Sequence, residues 1–232
     1  MFSDLIYLSY FCMSIVGCYG LLHLGLKKSI EYNNLKYHKK LYVLKNITKS
    51  IFLFFLSIYT FNSLILSILI YGKWNNKIAH FFASGYVSND LMGLLIVPKL
   101  PFSTKMHHII TSTLLFYSYT INFEEENVGR WMFLYTIMST YTFTVNFYLG
   151  LRHIRTKGNS NINMLIDKIR VYSFYIYLVA CVINWIIHII LILDKTLNST
   201  LYLPYILYCF LLIPIINDDL ILMSWLYNNV NN

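Results

Sequence analysis

The chain has 232 residues, 57% of them hydrophobic and only 12% charged, with a formal net charge of +8. A soluble domain of this length carries about twice that charge fraction, and the helices of a soluble bundle need polar faces that most of these segments lack. Composition therefore excludes an ordinary soluble enzyme. Because the lysines fall between apolar runs, the positive charge reads as membrane topology and not as nucleic-acid binding.

Apolar runs near twenty residues match a hydrocarbon core of roughly 30 Å at about 1.5 Å rise per residue. Seven such runs are expected to be transmembrane helices. The first, Leu5–Leu26, is preceded by Asp4, by no Lys or Arg, and by no small-residue cleavage site, so it reads as a retained span and not a signal peptide. A basic stretch follows and reads as a loop. The second span is Ile51–Tyr71 and the third Ala79–Val97, which ends at Pro98. The fourth, Pro101–Asn122, takes Pro101 into its first turn, and the short link makes the third and fourth a tight hairpin. Trp131–Leu151, Val171–Leu193 and Leu201–Leu226 complete the set, and the Asn-rich tail from Asn228 to Asn232 is expected to be disordered. Cys12, Cys18, Cys181 and Cys209 all lie inside apolar runs, which argues for free thiols and against a disulfide framework.

Loop charges set an orientation. Lys27, Lys28, Lys36, Lys39, Lys40, Lys45, Lys49, Lys99, Lys105, Arg152, Arg155, Lys157, Lys168 and Arg170 fall on one side, against Lys73, Lys77, Arg130 and Lys195 on the other. The positive-inside rule places the N-terminus in the lumen or outside the cell and the C-terminus in the cytosol. The sequon at Asn198 then faces the lumen close to the membrane, whereas that at Asn46 faces the cytosol and is silent.

The stretch KMHHIITSTLLFYSY sets two histidines in an apolar, hydroxyl-dotted span. At 100° per residue, Thr104, His107, His108, Thr111, Ser118 and Tyr119 share one face, opposite Ile109, Ile110, Phe116 and Tyr117. A polar stripe on a membrane helix turns toward protein or a watery cavity. His107 and His108 lie roughly 10 Å into the membrane from the cytosolic side, Asp90 roughly 12 Å, and Asp218 and Asp219 roughly 10 Å. Asn146 lies five residues before Leu151. Asp90 is therefore expected to pair with His107 or His108, since a membrane carboxylate costs about 2.5–3.5 kcal/mol on insertion scales. Such a pair can orient an imidazole for proton transfer, or it can lock two helices together with no substrate present. The two adjacent histidines, with no further His or Cys at a partner spacing, do not make a metal motif, and no cofactor is implied.

The segment ASGYVSNDLMGLLIVPKLPFSTKMHHIITSTLLFYSY resembles the core of the TLC domain, shared by TRAM, Lag-type ceramide synthases and CLN-type lipid-related proteins. Asp90, His107 and His108 match the Asp-bearing helix, short link and His-His pair of that family, and in STYTFTVNFYLGLRHIRTKG Asn146 and Arg152 match a second, weaker segment. The resemblance implies an all-α membrane protein of seven transmembrane helices, six of them in a barrel around an internal cavity. It divides the chain into an N-terminal helix with a basic cytosolic loop (1–48), a TLC-like domain (49–227) and a tail (228–232). It also implies the endoplasmic reticulum or another endomembrane, and a membrane lipid as partner, in a cavity lined by Asp90, His107, His108, Thr111, Asn146, Asn217, Asp218 and Asp219. The acidic positions of the ceramide synthases read Ser139, Thr140 and Phe143 here, which favours the non-synthase members. The alternative is an acyl-CoA-dependent N-acyltransferase in which His107, His108 and Asp90 are catalytic and acyl-CoA is the co-substrate. Seven spans also describe a rhodopsin-like receptor, but there is no Asp-Arg-Tyr at the end of span three and no Asn-Pro-x-x-Tyr in span seven. No inverted repeat or broken-helix pair points to a transporter.

Overall fold

The computed structural model describes residues 2–156, 160–198 and 202–228. The chain is 86% helical, and the described residues contain no strand. In chain order the helices are α1 (Phe2–Leu26), α2 (Ile30–Asn33), α3 (Tyr37–Thr60), α4 (Leu66–Tyr71), α5 (Asn76–Ile96), α6 (Phe102–Ser118), α7 (Val128–Thr140), α8 (Phe143–Leu151), α9 (Ser160–Leu197) and α10 (Leu203–Asn228). Among the described residues four stretches are long and apolar enough to cross a membrane: Ser3–Leu26, Tyr37–Ile68, Asn161–Leu197 and Leu203–Asn228. The second joins α3 to α4 through one π-helical turn, Phe61–Ile65. α5, α6 and the α7–α8 pair are shorter or more polar, and they share with α3 the larger part of the polar side chains buried inside the bundle.

Local chemistry accounts for the ends. Asn75 and Asn127 cap α5 and α7 by accepting hydrogen bonds from the Ile78 and Gly129 amides. Pro101 stands just before α6, where a missing amide proton costs nothing. Gly72 closes α4 at φ 62°, the left-handed conformation that a side chain would strain. The run Trp131–Leu151 is two helices and not one. Thr140 Oγ1 donates to the Ile137 carbonyl and Thr142 Oγ1 to the Ser139 carbonyl, so hydroxyls compete for the ladder where it breaks at Tyr141–Thr142.

Two expected loops are largely helical. The basic stretch after α1 enters α3 at Tyr37, so a domain boundary at residue 48 falls in mid-helix. Likewise α9 begins at Ser160 and takes in Lys168 and Arg170. Lys45 and Lys49 are accordingly not loop charges but buried residues of α3. Asn46, in the first sequon, is buried beside them, while the completing residues of the Asn198 sequon, 199 and 200, and the tail beyond 228 lie outside the described residues.

α3 is the central rod, packed against α1, α5, α7 and α8. It meets α8 most closely at Gly150, where a Cβ would stand 2.6 Å from Ile47 Cγ1 and 3.3 Å from the Val43 carbonyl oxygen. Aromatic packing by Phe82, Tyr86, Phe123 and Phe133 joins α5 to α7. Ile110 also packs inward, against α7 and α10, although it stands off the polar face of α6. The wide exposed apolar surface of α1, α9 and α10 is what hydrocarbon would cover.

Candidate functional site

The polar groups converge as the helical-face argument expects. Asp90 is fully buried on α5, with His108 Nδ1 3.1 Å from Oδ1 and His107 Nε2 4.0 Å from Oδ2. Thr111 Oγ1 donates to Asp90 Oδ2 at 3.1 Å. His107 Nδ1 lies 3.5 Å from Asp218 Oδ2, which brings α10 to the same point. Asp219 accepts from Tyr135 Oη at 2.5 Å and from Tyr177 Oη at 2.6 Å. The sequence suggested none of these phenols as site residues.

The larger omission is α3. Lys49 forms a buried ion pair with Asp90 Oδ1, and Lys45 Nζ lies 2.8 Å from His108 Nε2. With Lys45 as an ammonium, Nε2 is the acceptor and the ring proton sits on Nδ1, facing Asp90 at ion-pair distance without the alignment of a direct hydrogen bond. Gly93 makes the passage for this lysine, since a Cβ there would come within 2.9 Å of Lys45 Cε. Tyr42, Lys45, Asn46, Lys49 and Leu53 all face the same cavity, as residues 0, 3, 4, 7 and 11 of one helical stripe do.

That cavity holds about 280 Å³ and is lined by the α3 stripe, by Thr104, His107 and His108 of α6, by Ser139, Thr142, Asn146 and Arg152, and by Asp218, Asp219 and Trp225. It is near the lower end of the roughly 300–1,000 Å³ of ordinary ligand pockets. A second, mostly apolar pocket of about 60 Å³ lies toward the other end of the bundle, among Phe82, Phe123, Phe133, Leu212 and Ile215. His107, Tyr86 and Ser139 line both spaces. His107 therefore stands at the junction, with 15% of its side chain exposed against 3% for His108.

Of the residues expected to line a cavity, His107, His108, Asn146, Asp218 and Asp219 do so, Thr111 lines the apolar pocket, and Asp90 stands behind His108 as its partner. Asn217 does not. It is exposed, because one 100° step from Asp218 carries it off the inward face of α10. The other histidines serve elsewhere: His80 Nδ1 lies 3.1 Å from Asp4 Oδ1, and His188 bridges the Trp131 carbonyl and Tyr208.

Ligand atoms of Asp90, His107 and His108 lie within 4.8 Å of one another, a spacing that would suit a metal ion. The donor set fits poorly. The Lys49 ammonium already occupies an Asp90 oxygen and Lys45 faces His108, so an added cation would meet two positive charges at contact range.

No family model, curated protein or solved structure matches the chain.

Proposed function

We propose that this chain is a multi-pass membrane protein of TLC type that holds a membrane lipid in its interior and contributes to lipid composition or trafficking. α5, α6 and the α7–α8 pair then complete seven spans, with the N-terminus lumenal, the C-terminus cytosolic and an endomembrane as the site. The observation that carries this reading is the pairing, through His107, of a cavity whose wall carries charged side chains with an almost wholly apolar pocket, the layout an amphiphile requires. Removing Lys45 and Lys49 from the loop charges leaves the basic residues still concentrated on one side, which supports the orientation.

The test is lipid mass spectrometry on protein purified in mild detergent, beside a His107→Ala/His108→Ala variant that still elutes as a single species. A lipid class enriched in the wild type and lost in the variant is the expected result. Equal lipid content in the two would remove the histidines from any lipid site.

Acyl transfer is the second reading, favoured by the position of His107 between two carboxylates at the junction of the two spaces. There the imidazole is placed to accept a proton from an attacking nucleophile while Asp90 and Asp218 fix its ring. The structure moves the emphasis within the pair, since His108 is enclosed by Lys45 and Asp90 and His107 is the member open to a substrate.

A further inference from the structure

We propose that the mouth of the polar cavity binds the anionic head, phosphate or carboxylate, of a single-chain amphiphile, with the Arg152 guanidinium as its principal contact. This rests on the lipid reading above and adds the charge of the head group and the number of chains.

Arg152 directly follows α8, lines the cavity, and is gripped by two rings. Its Cζ lies 4.3 Å from the Trp225 ring centroid and 5.7 Å from that of Tyr42, within the range of a cation–π contact. Rings engage the faces of a guanidinium and leave its edge N–H groups unspent. Among the described residues its Nε donates to His153 Nε2 at 3.3 Å and the Tyr42 hydroxyl takes one further N–H, which leaves the rest of its five donors to a ligand. Among the described residues no carboxylate pairs with it, although Arg155 and Arg170 nearby both reach Asp167. A planar cation held by its faces, edges open to a cavity, is built for bidentate contact with carboxylate or phosphate oxygens.

The neighbouring charges agree. Lys45 lies three residues beyond Tyr42 on α3, roughly 4.5 Å deeper along the axis. Its contact is with His108, and it too has no carboxylate partner among the described residues. Of the acids of the wall, Asp219 accepts from two tyrosines and Asp218 faces His107 at 3.5 Å, and neither reaches Arg152. An anion at the mouth thus meets Arg152 first and Lys45 beyond it, neither with a carboxylate at ion-pair distance among the described residues. Beyond His107 the apolar pocket of about 60 Å³ is narrow, with room for the first few carbons of one chain and none for a second chain beside it.

The experiment measures binding to the full chain in a nonionic detergent, using oleoyl lysophosphatidate, oleate, monoolein and inorganic phosphate. Both anionic amphiphiles are expected to bind at least about tenfold tighter than monoolein, which has the same chain and no charge, and added salt is expected to weaken only the anions. Arg152→Gln should remove that tenfold preference and leave monoolein unchanged, and Arg152→Lys should retain part of it. Monoolein binding as tightly as the anions in the wild type, with no salt effect, would overturn the proposal while sparing the lipid cavity; this arm needs no variant to fold. Unchanged anion binding by Arg152→Gln would overturn it as well. Inorganic phosphate binding as tightly as lysophosphatidate, and depending on Arg152, would uphold the anion site and sink the lipid reading. Binding of none of the four would sink both.

Discussion

Replacing Asp90 by Asn tests the centre of the site most directly. The amide keeps the shape of the carboxylate and can still accept from Thr111, but it leaves the Lys49 ammonium, 8% exposed, without its counter-charge. What remains near Lys49 is the Tyr86 ring, 5.6 Å from Nζ, worth about 2 kcal/mol at best. Breaking a buried ion pair from one side costs about 3–5 kcal/mol, which for a chain of this size lowers Tm by roughly 6–20 °C. Lys49→Met should cost less, because Asp90 keeps the Thr111 hydroxyl as a donor and His108 Nδ1 3.1 Å from Oδ1. Asp90→Asn/Lys49→Met, with no charge left to strand, should recover to within about 1–2 kcal/mol of the wild type, a coupling well above the spread expected of independent sites. Unfolding followed by tryptophan fluorescence in mild detergent measures all four proteins. If the double variant is as unstable as the two single losses added together, or if Asp90→Asn lies within about 0.5 kcal/mol of the wild type, the buried pair is not what holds α3 to α5.

Two further outcomes follow from packing and from charge. Gly150→Ala drives a methyl against Ile47 and should cost about 1–3 kcal/mol in the same assay, and adding Ile47→Ala should leave the double variant more stable than the sum of the single effects; strict additivity would refute the close α3–α8 contact. His153, in the turn after α8, has its imidazole pushed down to about 4, first by burial and then by the Arg152 and Lys39 charges. The unfolded chain therefore takes up a proton at this position from about pH 6.5 downward and the folded chain only near pH 4, so stability should be full above pH 6.5, fall between 6.5 and 4, and level off below. A thermal-stability profile against pH should be flatter in that window for His153→Gln, and an unchanged slope would refute the assignment.

How far the sequence could be read depended on which side chains it judged. Asp90, His107 and His108 were legible because charge in a long apolar run has few explanations, and their mutual approach follows from depth and helical face. Lys45 and Lys49 were illegible for the opposite reason: lysines beside an apolar run read as loop charge, and the rule that assigns orientation absorbed them. The corrective signal was present. Tyr42, Lys45, Asn46, Lys49 and Leu53 repeat at the helical period, which a solvated loop has no cause to do. Tyr135 and Tyr177 were hidden by their own duality, since a phenol counts as apolar in a long run and reveals its hydroxyl only when the position of Asp219 is known. The break at Tyr141–Thr142 is likewise a matter of hydroxyls bonding backward, invisible to hydropathy.

The two accounts of the histidines, a lock between helices and the ligand site proposed above, draw on different residues. Asp90, Lys49, Lys45 and His108 satisfy one another across α3, α5 and α6, and although Lys45, Lys49 and His108 form part of the cavity wall, helix cohesion alone accounts for the pairing of all four. Cohesion does not explain the open half. His107 and Asp218 each show 15% of their side chains and meet at 3.5 Å, looser than a hydrogen bond, and Arg152 is held by two rings with no carboxylate partner among the described residues. A protein needing only adhesion between helices would gain more from closing such groups against partners, because an unpaired polar atom in a low-dielectric interior costs about 1–3 kcal/mol. On the proposed lipid reading, the locked half is the frame that holds His107 at a fixed angle, and the open half is the surface it is held for.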